Sequence, residues 1–186
     1  MTEKELIAMF RQDETIKKIL TVIEEVEGVT CYLSAGTLRN FTWDYLSQKE
    51  NRQFTDVDII FFDKRVSYDE TCQLETRLRE GFPEFDWEVK NQVYMHEHNP
   101  NTAPYSSLVE SLASFPETCT AIALRKDGDD YDFLAPHGIE DLVNFKVRPT
   151  PHFLETAERL KIYKKRVTDK QWQEIWPRLT LANMED

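Results

Sequence analysis

Three things are scarce in this sequence of 186 residues: cysteine, glycine and uninterrupted apolar runs. The three cysteines, Cys31, Cys72 and Cys119, are an odd number spread along the chain without a CxxC pair. They read as free thiols in a reducing compartment, not as a disulfide framework. Five glycines and eight prolines, with no low-complexity tract, argue against a disordered chain. The longest apolar run is Ile59-Ile60-Phe61-Phe62, with Val57 nearby. A membrane helix needs roughly 20 apolar residues, so none is expected. The opening MTEKELIAMFRQDE mixes charges of both signs and lacks the apolar stretch of a secretion signal. Positive charge is the minority: 23 Lys+Arg against 34 Asp+Glu give a net charge of −11, with no block of five basic residues. That speaks against a general nucleic-acid coat and leaves room only for a local basic patch. Core material is plentiful, at 40% hydrophobic and 12% aromatic. The expectation is a soluble, acidic, cytoplasmic protein with a single domain over residues 1–186.

Periodicity predicts a first helix over Thr2–Glu25, with a break and a new cap at Asp13-Glu14-Thr15. A strand over Val29–Ser34, a turn at Ala35-Gly36-Thr37 and a helix over Leu38–Leu46 follow. Ser47–Thr55 reads as a polar loop. Asp56–Phe62 is the clearest strand, apolar on both faces in its later half as a covered central strand would be. Tyr68–Gly81 reads as a helix ended by Pro83, and Phe85–Met95 as a strand. A short helix over Ser107–Ser114 precedes a hairpin, Thr120–Arg125 and Tyr131–Leu134, turning at Asp127-Gly128. Helices over Gly138–Phe145, His152–Arg166 and Asp169–Trp176 complete the chain. Strands alternating with helices early and pairing as a hairpin late predict a mixed sheet with helices packed on it.

Three elements carry chemistry. Asp56 and Asp58 open the IIFF strand, and residues two apart project to one face, roughly 6.5–7 Å apart along the strand. Two such carboxylates repel unless cations neutralise them, which suits one or two Mg²⁺ ions with room left for phosphate oxygens. A solvated strand entrance is the plainer reading of a bare Asp-x-Asp, but here the acids lead straight into a buried-type strand. Upstream, Ser34–Arg39 places Gly36 between a strand and a helix N-terminus, where backbone amides favour phosphate. Thr37 offers a hydroxyl, and Arg39 pairs either with a phosphate or with Asp56 or Asp58. The third element is Asp86-Trp87-Glu88-Val89, in which Glu88 supplies a third carboxylate and Asp86, of the same parity, competes for that place. His96 and His98 share a face but lack a third ligand. Trp172 and Trp176 read as a helix-face staple, and Arg159, Lys161, Lys164, Lys165 and Arg166 as a solvated basic face.

Together the three elements resemble the DNA polymerase β-like nucleotidyltransferase superfamily, whose signature is a Gly-Ser-type turn, an Asp-x-Asp strand and a later carboxylate. The resemblance is closer to one branch, a bacterial nucleotidyltransferase family formerly carried as a domain of unknown function. It runs through SAGTLRNFTWDYL, TDVDIIFFD, WEVKNQVYMH, SFPETCTAIALR, DFLAPHGIEDLVNFKVRPTP and KQWQEIWPRL. Ala35-Gly36-Thr37 stands where the superfamily has Gly-Gly or Gly-Ser. The implied fold is α+β: a mixed sheet flanked by helices in a single nucleotidyltransferase domain. Its core, at about 15–150, is similar to a CCA-adding enzyme head domain standing alone, with helices at about 152–178 packed on it.

The resemblance also implies roles. Gly36 and Thr37 would hold the β- and γ-phosphates of a nucleoside triphosphate, with Arg39 beside them. Asp56 and Asp58 would ligate Mg²⁺ or Mn²⁺. Glu88 would complete the metal cluster and help deprotonate an acceptor hydroxyl, and pyrophosphate would leave. Asn91 and Gln92 suit sugar or base contacts. The acceptor class stays open among small molecule, protein and RNA. Two competing readings keep the same acids: a nucleotide-binding or interaction module without catalysis, and a two-metal phosphoesterase.

Overall fold

The N-terminal apolar stripe forms two helices. In the computed structural model, which describes residues 1–49 and 56–185, α1 (Glu3–Gln12) and α2 (Glu14–Glu24) meet at Asp13. The Asp13 carboxylate accepts from the amides of Thr15 and Ile16, capping the second helix where the first one ends. Leu6, Phe10, Ile16, Ile19 and Leu20 are buried from these two helices.

Five strands form one mixed sheet: β1 (Tyr32–Ser34), β2 (Asp56–Phe61), β3 (Asp86–Asn91), β4 (Ala123–Asp127) and β5 (Asp130–Leu134), in the order β3-β2-β1-β4-β5. β2 and β3 run parallel, joined through α4 (Tyr68–Gly81), while β1 is antiparallel to both β2 and β4. β4 and β5 turn at Gly128, whose φ of 62° is the left-handed value an Asp-Gly hairpin requires. α4 also serves the open edge of β3. Glu75 accepts from the Val89 amide and Arg79 donates to the Trp87 carbonyl, so backbone groups on that edge are satisfied.

α3 (Ala35–Leu46) follows β1, and the rest of the chain adds α5 (Leu108–Ala113), α6 (Glu140–Val143), β6 (Lys146–Val147), α7 (Pro151–Leu154), α8 (Ala157–Lys170), α9 (Trp172–Ile175) and β7 (Thr180–Leu181). The fully buried Trp43 of α3 ties these late elements to the sheet. Its ring stands 6.1 Å from that of Trp172 and 5.1 Å from that of Trp176, and stacks on Phe145 at 6.4 Å. The Trp176 indole donates to Asp44 at 2.8 Å, and the Trp43 indole to the Leu142 carbonyl at 2.9 Å. One apolar cluster therefore runs from Leu6 in α1 to Leu179. No helix of the described residues is long and apolar enough to cross a membrane.

Several boundaries differ from the sequence expectations. The Ala35-Gly36-Thr37 turn is the first turn of α3, entered through Ala35 at a φ of 52°. The strand expected over Val29–Ser34 pairs only over Tyr32–Ser34. The strand expected to reach Met95 stops at Asn91, whose side chain engages the backbone at Asp63, Val66 and Val93 and turns the chain aside. The helix expected over Gly138–Phe145 shortens to Glu140–Val143. The helix expected over His152–Arg166 breaks at Glu155–Thr156, where the Thr156 side chain caps α8, and α8 then runs on to Lys170 before the left-handed Gln171 at φ 48°. The sequence carries no strand signal for the parallel pairing of β6 with β7. Of the polar loop expected over Ser47–Thr55, residues 50–55 lie outside the described residues.

Candidate active site

Side chains alternate across β2 and β3. Val57, Ile59, Trp87 and Val89 go into the core, which sends Asp56, Asp58, Glu88 and Lys90 to the other face. Register then places Asp58 directly opposite Glu88, and Asp56 opposite Asp86. Asp58 and Glu88 line a cavity of about 670 Å³, together with Asp56 and Lys90. Asp86 instead pairs with Arg79 at 2.8 Å and is not on the cavity wall.

The turn after β1 is stitched to the start of β2. β1 pairs with β2 only at Ile59 and Ile60, leaving the preceding backbone of β2 without a strand partner on that side. Thr37 fills the gap. Its hydroxyl donates to the Asp56 carbonyl at 2.9 Å and lies 3.4 Å from the Asp58 amide, which donates to it. The Gly36 amide donates to Asp58 Oδ2 at 3.3 Å. Gly36 does not have a positive φ; the left-handed residue is its neighbour Ala35. What Gly36 supplies is space: a Cβ there would sit 3.3 Å from Asp58 Oδ2 and 3.7 Å from Arg39 Nη2.

Arg39 is 4% exposed and lines the cavity, and among the described residues it bonds only to neutral acceptors: Thr120 Oγ1 at 2.8 Å and Asn40 Oδ1 at 2.9 and 3.1 Å. Its guanidinium lies 4.2 Å from the Trp172 ring centre. Burial lowers its pKa, and among the described residues no carboxylate stands within ion-pair distance of it. A buried cation without a carboxylate partner is costly. Asp58 is perturbed in the complementary sense. Burial pushes its carboxyl above the usual range; the Glu88 charge adds to this, and Lys90, the Gly36 amide and Arg39 work against it.

Lys90 spans the acids, with Nζ 2.5 Å from Glu88 Oε2 and 3.8 Å from Asp58 Oδ1. Burial opposes the ammonium form, but the bond to Glu88 and the Asp58 charge more than offset it, so its pKa is raised. Sequence alone does not single out Lys90, although its position two residues after Glu88 on an alternating strand puts it on the same face. Gln92, buried and on that face too, lines the cavity and accepts from the Ser111 hydroxyl at 2.6 Å. Asn91 is of opposite parity. Its amide is committed to the loop after β2, and it is not on the cavity wall.

Among the described residues no three His, Cys, Asp or Glu side chains are gathered closely enough to hold a metal ion. The donor chemistry nevertheless fits a hard divalent cation. Carboxylate oxygens from two adjacent strands face one cavity, and a cationic group, the Lys90 ammonium, is already drawn between two of them.

A protein-family model described as Nucleotidyltransferase matches residues 22–181. No curated protein gives a significant match. Among solved structures, an NMR structure described as revealing a CCA-adding enzyme head domain is 46% identical, with a TM-score of 0.88. That match covers 97% of this chain and 95% of the other. Two more distant structures share the fold. One is a Thermotoga maritima CCA-adding enzyme complexed with tRNA, at 11% identity and a TM-score of 0.60. The other is a CCA-adding enzyme with ATP, at 14% and 0.58. These matches cover 96% and 98% of this chain but only 42% of each of those larger chains.

Proposed function

Because the chain belongs to the nucleotidyltransferase family, we propose that it moves a nucleoside monophosphate from a nucleoside triphosphate to an acceptor hydroxyl, with release of pyrophosphate. The observation that carries this reading is the convergence of Asp58, Glu88, Gly36 and Arg39 on one cavity. Asp56, Asp58 and Glu88 would hold Mg²⁺ or Mn²⁺, which when bound supplies charge stabilisation to the entering and leaving oxygens of an in-line displacement.

The chain's own residues do the rest. Gly36 carries no side chain between Asp58 and Arg39, so a phosphate in the cavity can approach the backbone of the turn closely. Arg39, desolvated and with no carboxylate partner among the described residues, gives that phosphate its counter-charge. Thr37 acts through β2: its hydroxyl fixes the backbone on both sides of Val57 and so aims Asp56 and Asp58. Glu88 accepts the proton of the acceptor hydroxyl, and Gln92 contacts the sugar or base.

One observation favours a second reading, a nucleotide-binding module of the same fold without catalysis. Lys90 bonds Glu88 and lies 3.8 Å from Asp58, so it supplies from within the protein part of the positive charge that a metal would otherwise bring. The two readings separate by product. ATP, CTP, GTP and UTP are screened with Mg²⁺, following pyrophosphate release and backbone NMR shifts together. Release with shifts near Gly36 and Asp58 supports transfer; shifts without release support the binding module; neither removes both.

A further inference from the structure

The proposed transfer uses the strand side of the cavity, and the helical side holds charge that it leaves unspent. Arg166 and Lys170, four residues apart and so on one face of α8, both line the cavity. Among the described residues Arg166 makes one hydrogen bond, Nε to Glu117 Oε1 at 2.7 Å. Among the described residues its two terminal amino groups have no protein partner. Glu117 is fully buried, and its second oxygen, Oε2, is also unpartnered. A guanidinium and a carboxylate left to themselves close as fork on fork, with two parallel bonds. Here the buried acid holds only the Nε edge, and the terminal amino groups remain unused at the cavity wall. Charge accumulates there as well. Arg39 and Arg166 lie 4.2 and 5.9 Å from the centre of the same Trp172 ring, and only Arg166 has a carboxylate partner.

We propose that Arg166 and Lys170 form a subsite for a phosphate group, with Glu117 as the positioning residue that holds the Arg166 fork toward it. The proposal rests on the nucleotidyl-transfer reading and extends it. The phosphate is either the far end of the nucleotide's own triphosphate or one carried by the acceptor.

Inorganic phosphate and tripolyphosphate, titrated into the full chain in EDTA by calorimetry, test the subsite without any metal. Arg166→Gln alone would leave Glu117 as an unpaired buried charge, so the double variant Arg166→Gln/Glu117→Gln guards against a folding artefact. The double variant is expected to bind both anions about 10- to 100-fold more weakly, the loss of hydrogen bonds to a charged group. Lys170→Gln, at an exposed position, should cost about two- to five-fold. Glu117→Gln should weaken phosphate binding while the melting temperature without phosphate is held or raised; a merely structural Glu117 would lower the melting temperature and leave the affinity of folded molecules intact. A second arm assigns the source of the phosphate. If a non-hydrolysable triphosphate with Mg²⁺ blocks inorganic phosphate, the subsite takes the nucleotide tail. If Arg166-dependent phosphate binding survives, it takes the acceptor's phosphate. Phosphate and tripolyphosphate bound by the double variant as by the parent would overturn the proposal. Failure of transfer itself is read separately, in pyrophosphate release.

Discussion

The two faces of β2 and β3 are built from alternate residues of the same twelve-residue pair of strands, yet they obey opposite rules. One face, Val57, Ile59, Trp87 and Val89, is packed against helices and excludes water. The other, Asp56, Asp58, Glu88 and Lys90, borders an open cavity and is crowded with charge, with Ile60 the buried apolar residue at its end. The lesson is that the packed face holds the charged one in place. Acids that repel each other stay in register because a slip by one residue would turn the Trp87 face out of the core. Stability should therefore reside on one face and ligand chemistry on the other, and substitutions can break that division.

The largest effect should come from the packed face. Trp87→Ala removes a fully buried indole and its hydrogen bond to the Phe82 carbonyl, and should cost about 3–5 kcal/mol in urea unfolding. Next is Asn91→Ala, at the end of the same face. It strips donors and acceptors from the loop after β2 and should cost about 1–3 kcal/mol, with nucleotide affinity unchanged in folded molecules. Gln92→Ala, one residue on, should show the reverse balance. A nucleotide titration in which Asn91→Ala is the more damaging of the two would break the comparison.

Smaller effects test the charged face by pH. Burial raises the Asp58 carboxyl above its ordinary 3.8. The native state then holds a proton that the unfolded chain has already lost, so stability falls as pH rises from about 3.8 through the folded pKa and is regained on acidification. In metal-free protein, Asp58→Asn should flatten that slope and be as stable as the parent or more so above it. Unchanged pH curves for the two proteins would show that Asp58 is not the strained group. The smallest effect concerns the core. Burial pushes the Cys31 and Cys119 thiols up to about 12, whereas Cys72 is exposed. A thiol reagent at pH 8 should titrate one cysteine in the native protein and three in urea.

The elements that carry the site were legible because their signals are local. The Asp-x-Asp entrance to an apolar strand, the Gly after a short strand and the alternation through Trp87 and Val89 need no tertiary information. Other features depend on how elements meet. Asn91 and Gln92 look alike in sequence, but the strand ends between them, and one residue of parity sends Asn91 to the loop and Gln92 to the cavity. Arg166 belongs to a basic helix stretch that reads as a solvated face, and only the tertiary fold brings its Nε onto Glu117 and its side chain onto the cavity wall. The Gln171 break was hidden because a left-handed glutamine leaves no compositional mark.

The central claim is that Asp56, Asp58 and Glu88 hold a divalent ion beside the Gly36 turn. Backbone NMR of the metal-free protein titrated with Mg²⁺ and a non-hydrolysable nucleoside triphosphate tests it most directly, with Asp56→Asn and Asp58→Asn run in parallel. The expected result is saturable shifts at Gly36, Asp58 and Glu88 in the parent, requiring Mg²⁺ and lost or strongly weakened in both variants. Titrations that are the same in the parent and in both variants would contradict it.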